Sequence, residues 1–140
     1  MVCVKECTDL ITKYFLYLDY GPRSEAPDLF TEDGRQGRVG QSHEGKEAIR
    51  AAFARLPETL SPIHLVTNIM ITPQGPEKAV GMAYIVAYNL RADPSEPMPR
   101  KMPPTPSRIG KGDFEFRKTA DGWRIAAFVP GTAKVDDGLT

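Results

Sequence analysis

His64 is the residue whose type and setting most clearly offer chemistry. It is one of two histidines, and it opens an apolar, β-branched stretch, Ile63 to Thr72. An imidazole titrates near neutral pH, so in an apolar cavity it can take a proton and return it, as a dehydration or isomerisation requires. The alternative is a structural histidine bonded to a backbone carbonyl. Tyr14 lies on the apolar face of the N-terminal segment, and Asp19 follows just past the last apolar turn. Taken alone, Asp19 fits a polar site or a helix-terminal carboxylate bonding solvent or a local N–H, and Tyr14 fits a site or plain core. Asn68, at strand parity with His64, reads as a pocket amide or a tether to the neighbouring strand. Tyr84 and Tyr88 share one strand face: inward they add hydroxyls to a cavity, outward they contact a second copy. Met82, Phe114 and Phe116 are expected to shape the cavity, and Trp123 to be core or pocket wall. His43 lies in a polar, exposed stretch, and Ser42 beside it has no histidine–acid set for nucleophilic catalysis. No phosphate-cradling loop and no metal-ligand spacing is present, so no cofactor and no metal is expected.

These residues must be positioned by helices that precede strands. Leu10, Ile11, Tyr14, Phe15 and Leu18 recur at the spacing of one helical face, and Gly21-Pro22 ends that helix. A short second helix follows, with Ser24 as N-cap, Pro27 in its first turn, and Leu29 and Phe30 as apolar contacts. Residues 35–43 predict an edge strand or hairpin. A third helix runs from Gly45 to Leu56, with Ala48, Ile49, Ala52, Phe53 and Leu56 on one face and Pro57 closing it. From residue 62 the period falls to two. Strands are expected over Ile63–Thr72, Glu77–Arg91, Ile109–Lys118 and Trp123–Val129, the last two joined by an Asp121-Gly122 hairpin turn. Residues 92–107 hold six of the thirteen prolines and must be a loop. The tail at 131–140 reads as polar and frayed. The pattern is α+β: N-terminal helices packed across a curved antiparallel sheet, in one domain over 1–140, enclosing a pocket.

Composition narrows the partners. The 140 residues carry 18 basic and 18 acidic side chains, for a formal net charge of zero, and the balance holds in both halves. A nucleic-acid binder shows a basic excess or stripe, and this chain has neither. No long apolar run predicts a membrane span, and no secretory signal is visible, so a cytoplasmic protein is expected. Cys3 and Cys7 make neither a disulfide framework nor a zinc site.

Several stretches together resemble the SnoaL-like branch of the nuclear transport factor 2-like superfamily. YFLYLDYG (14–21) resembles its first helix and exit, LFTEDG (29–34) its second helix and turn, and HEGKEAIRAAF (43–53) its third helix. IHLVTNIMI (63–71) resembles its first long strand and FRKTADGWRIAAF (116–128) its final hairpin. The resemblance spans about residues 5–130. It implies a cone-shaped barrel with an apolar pocket, often in a homodimer. Relatives include polyketide cyclases, scytalone dehydratase, bile-acid dehydratases and ketosteroid isomerases, alongside non-catalytic binding proteins. Most of the enzymes move protons on a small hydrophobic substrate without cofactor or metal.

In the dehydratases a strand histidine matching His64 acts as acid and base, and a Tyr-x4-Asp pair matching Tyr14 and Asp19 lines the pocket beside it. Asp19 would then orient the imidazole, and Tyr14 would hold a substrate oxygen. The sequence departs from that pattern on the later strands. Ile85–Asn89 offers only Tyr88 and Asn89 where an extra acid or histidine is common. Gly112 and Phe114 replace a tyrosine and an aspartate, and Phe128 replaces an arginine, which predicts a roomier, more apolar pocket. The implied function is a cofactor-free lyase, isomerase or cyclase acting on a polyketide, terpenoid or steroid-like intermediate. The other class it allows is a non-catalytic ligand-binding or dimerisation domain.

Overall fold

The computed structural model describes residues 2–38 and 41–136. Helix α1 (Val2–Tyr20) buries Cys7, Leu10, Ile11, Tyr14 and Phe15 along one side, the stripe expected from their spacing. It stops at Gly21, whose φ of +80° suits a residue without Cβ and whose N–H donates to the Tyr17 carbonyl at 2.9 Å. A 3₁₀ helix, Arg23–Leu29, comes next. Its N-cap is Pro22, with no side-chain cap, so Ser24 does not play that part. Strands β1 (Phe30–Arg38) and β2 (Gln41–Glu44) form an antiparallel hairpin before helix α2 (Lys46–Ala54). The long strands β3 (Leu60–Pro73), β4 (Lys78–Arg91), β5 (Arg108–Thr119) and β6 (Gly122–Asp136) follow.

The fold is α+β, with the helices laid on one side of a curved, unclosed sheet in the order β2-β1-β6-β5-β4-β3. Three expectations change. LFTEDG is mostly strand, because Phe30 pairs with Ile125 and joins the sheet instead of prolonging the short helix. The sheet is antiparallel except at β1–β6, which is parallel. The tail is not frayed from residue 131: β6 continues to Asp136, pairing Val135 with Ile109, while residues 137–140 lie outside the described residues.

The core gathers between α1, α2 and the sheet. Tyr14 makes edge contacts to Phe15, Phe30 and Phe128 with ring centroids 4.9, 5.8 and 5.4 Å apart, and Phe128 stacks on Phe114 at 4.6 Å. These rings set the parity of β4. Ala79, Ala83 and Ala87 face them, because short side chains leave room for the aromatics, and Tyr84 on the opposite face is half exposed. A β-bulge between Thr67 and Met70 then inverts β3. Thr67 pairs with Tyr84 but Met70 with Met82, so β3 spends one residue more than β4, and Asn68 takes φ +53° to absorb it. Asn68 and Met70 therefore leave the face of His64 and are exposed.

Burial pushes the Cys7 thiol up to about 12, and neither cysteine is in a disulfide. Among the described residues no helix is long and apolar enough to cross a membrane.

Gly112 is not an opening in the pocket wall. A Cβ there would stand 2.7 Å from Ile85 Cδ1 and 2.8 Å from Phe128 Cε2, so the ring of Phe128 fills the space. Gly112→Ala should destabilise the protein by about 1–3 kcal/mol through this overpacking, read as a lowered urea midpoint. An unchanged midpoint would show that Phe128 moves aside without cost.

Candidate active site

The site is built where the end of α1 meets the start of β3. Asp19 uses both carboxylate oxygens on His64: Oδ2 accepts the backbone N–H at 2.8 Å, and Oδ1 lies 2.6 Å from Nδ1 of the ring. The carboxylate is 5% exposed and the imidazole 14%, so the contact is shielded from water. A carboxylate can only accept, so Nδ1 carries the proton, and Nε2 is the nitrogen left for a ligand. Phe15 packs on the imidazole with centroids 4.8 Å apart and limits its rotation.

Arg23 braces the same junction. Its Nε donates to the Leu18 carbonyl at 3.2 Å, one terminal nitrogen to Pro57 at 3.3 Å, and the other to Leu60. One guanidinium thereby joins α1, the end of the α2 loop and the start of β3.

Beneath this junction lies a cavity of about 430 Å³. Its apolar wall includes Phe15, Leu18, Phe53, Leu56, Ile85 and Phe128. His64 faces it, and so does Tyr14, whose hydroxyl accepts from Gln36 Nε2 at 2.6 Å. Gln36 is 3% exposed, and its Oε1 has no protein partner. A buried polar atom without a partner is costly, so this oxygen stands as an unmet acceptor beside the cavity.

The residues named from sequence divide cleanly. His64, Asp19 and Tyr14 come together. Tyr84 and Tyr88 do not line the cavity; β4 turns its alanines inward, and Tyr84 faces out. Asn68 is carried outward by the bulge. Met82 lies on the outer face, while Phe114, Phe116 and Trp123 are buried in the core rather than at the cavity surface. His43 is half-buried on β2 opposite Gln36 and does not reach the cavity. Sequence reasoning passed over Gln36, Arg23 and Arg91. Arg91 shares β4 parity with Ala83 and Ala87, so the small-residue face was the available signal; nothing in the local pattern marked Gln36. Among the described residues no group of three potential metal ligands is assembled.

A curved, unclosed sheet roofed by helices is the frame of the nuclear transport factor 2-like fold. The chain belongs to the SnoaL-like domain family, whose pattern it matches over residues 4–129. Solved structures agree on the fold. An NTF2-like protein with a cystatin-like fold from Novosphingobium aromaticivorans superposes with a TM-score of 0.73 at 22% identity, covering 90% of this chain and 79% of that one. A putative scytalone dehydratase from the same species gives 0.75 at 15% identity, covering 99% and 95%. A Catenulispora acidiphila protein in complex with S-DNPA gives 0.69 at 20% identity, covering 92% of each chain. No curated protein matches this sequence.

Asp19→Asn tests the clamp. An amide has one acceptor oxygen where the carboxylate has two, so Asp19→Asn either loses the ring bond, at about 1–3 kcal/mol of stability, or keeps it only by donating its N–H to Nδ1 with the ring proton moved to Nε2. In ¹⁵N-edited NMR at pH 8 the His64 ring should carry its proton on Nδ1 in the parent protein. A proton on Nε2 would refute the geometry.

Proposed function

We propose that the protein is a cofactor-free acid–base enzyme that dehydrates, isomerises or cyclises a small, largely apolar substrate. The observation that carries this reading is the Asp19–His64 pair at the wall of the cavity. A carboxylate on Nδ1 turns Nε2 to the substrate and faces the imidazolium that forms when Nε2 takes a proton. In the forward step Nε2 removes a proton from a carbon or hydroxyl of the substrate. The imidazolium then returns it, either to the departing hydroxyl in a dehydration or to another carbon in an isomerisation. Tyr14, backed by Gln36, holds the oxygen on which negative charge develops. The apolar wall and the burial of the pair keep that charge in a low-dielectric setting.

Family membership supports the reading, as does the likeness to a protein described as a putative scytalone dehydratase. A ligand-bound structure of the same fold supports small-molecule binding.

Against a panel of hydroxylated and enolisable polycyclic ketones, turnover should fall about 100-fold or more in both His64→Ala and Asp19→Asn, with the far-UV spectrum unchanged. Turnover that survives both changes would sink the assignment. Ligand binding with no turnover in any variant would instead make this a binding protein.

We also propose a homodimer through the outer sheet face, where Leu65, Met70, Tyr84 and Val129 are between 41% and 60% exposed. Light scattering should give twice the chain mass, and Tyr84→Glu should reduce it to one; a monomeric parent protein would refute the interface.

A further inference from the structure

The chain is electrically neutral, but its cavity is not. The side chains of Arg23, Arg91 and Arg108 line it with no acidic residue among them, while Lys111 on β5 pairs across the ladder with Tyr84 and carries its side chain on the outer face. Asp19 lies behind His64 and gives both oxygens to it rather than to an arginine. Lys111 is paired to Asp113 at 3.0 Å, but Arg23 and Arg91 have no carboxylate partner among the described residues.

Both of those arginines flank Leu60. Arg91 lies directly across the β3–β4 ladder from it, and Arg23 donates to its carbonyl. Arg23 engages one N–H on each of its three nitrogens with backbone carbonyls, which leaves two of its five donors unspent. Those carbonyls hold the guanidinium still without neutralising it. Arg91, exposed at the rim, makes no side-chain hydrogen bond or ion pair among the described residues. Asn89, on the same face of β4, adds a carboxamide to the cavity wall. The acids of the neighbouring 92–107 loop bond within that loop and not to Arg23 or Arg91. Asp93 is bonded by the N–H and hydroxyl of Ser95 at 2.8 and 2.6 Å, and Glu96 accepts the Asp93 N–H at 3.2 Å. Arg23 and Arg91 place two cationic groups beside an apolar wall, where a low dielectric strengthens their attraction for an anion.

We propose that the ligand of this cavity is an amphiphile: an apolar ring body with an anionic group, carboxylate, sulfonate or phosphate, held at the rim by Arg91 and Arg23. The inference deepens the acid–base reading and rests on it for which end reacts. Leu60 and His64 are four strand residues apart, about 13 Å along β3. The anion therefore sits at one end of the cavity and the reacting atoms at the other. Ala87, directly opposite His64, is small enough to leave the floor between them open to the ring body.

Two dyes that share an arylaminonaphthalene body separate the charge from the rest. 8-Anilinonaphthalene-1-sulfonate carries the anion, and N-phenyl-1-naphthylamine lacks it. Fluorescence titration should show the sulfonate binding about tenfold tighter, with an advantage that shrinks as salt rises. Each dye should displace the other. Arg91→Gln, at an exposed position that does not threaten folding, should remove most of the advantage and leave the neutral dye unaffected. Equal affinities, an advantage indifferent to Arg91→Gln, or failure of the dyes to compete would each overturn the proposal. His64→Ala should keep the preference for the anion. Loss of turnover with the preference intact separates the two readings, because binding of the anion does not require the base.

Discussion

The contact on which the site depends is the two-oxygen grip of Asp19 on His64. Residues 45 positions apart in the chain are joined by a carboxylate at the end of a helix and by the backbone and ring of one strand residue. The backbone bond sets where β3 begins relative to α1. The ring bond sets which imidazole nitrogen faces the cavity. Because the two bonds share one carboxylate, the placement of the strand and the orientation of the base cannot vary independently. Arg23 reinforces the same junction by holding carbonyls from α1, the loop after α2, and β3. A catalytic group needs its supporting contacts to be as rigid as itself, and here the support is also the seam of the fold.

The cavity follows from how the aromatic rings are shared out. Tyr14, Phe15, Phe53 and Phe128 project from the helices and β6 toward β4, which answers with alanines. Where the rings meet closely, as Phe128 does on Phe114, the space is core. Where β4 carries Ala87, Asn89 and Arg91 beyond them, the space is open and gains polar lining. The volume over Gly112 belongs to the first kind, so a missing side chain in the sequence did not become room for a ligand.

Much of this was legible beforehand, for identifiable reasons. A helical stripe and a period-two run depend on neighbouring residues, so α1, α2 and the four long strands could be read locally. His64 stood out as a polar group opening an apolar strand, and Asp19 and Tyr14 through the resemblance of their Tyr-x4-Asp spacing. The failures share a cause as well. Asn68, Tyr84 and Tyr88 were placed by strand parity, and parity says which residues share a face but not which face is inside. The bulge at Asn68 adds a slip of one residue, which no alternation pattern displays. LFTEDG became a strand because a partner, β6, lies nearly a hundred residues further along the chain.

The sequence alone determined that helices precede a meander, that the chain is neutral, and that few polar groups sit among apolar ones. Those are properties of composition and of near neighbours. The tertiary structure decided the rest: that Asp19 reaches His64 with both oxygens, that Gln36 stands behind Tyr14, and that a neutral chain brings Arg23 and Arg91 to the rim of its own cavity. Each of these depends on which residues distant in the chain are brought within a few ångströms, and hydrogen bonds and screened charges act only at that range.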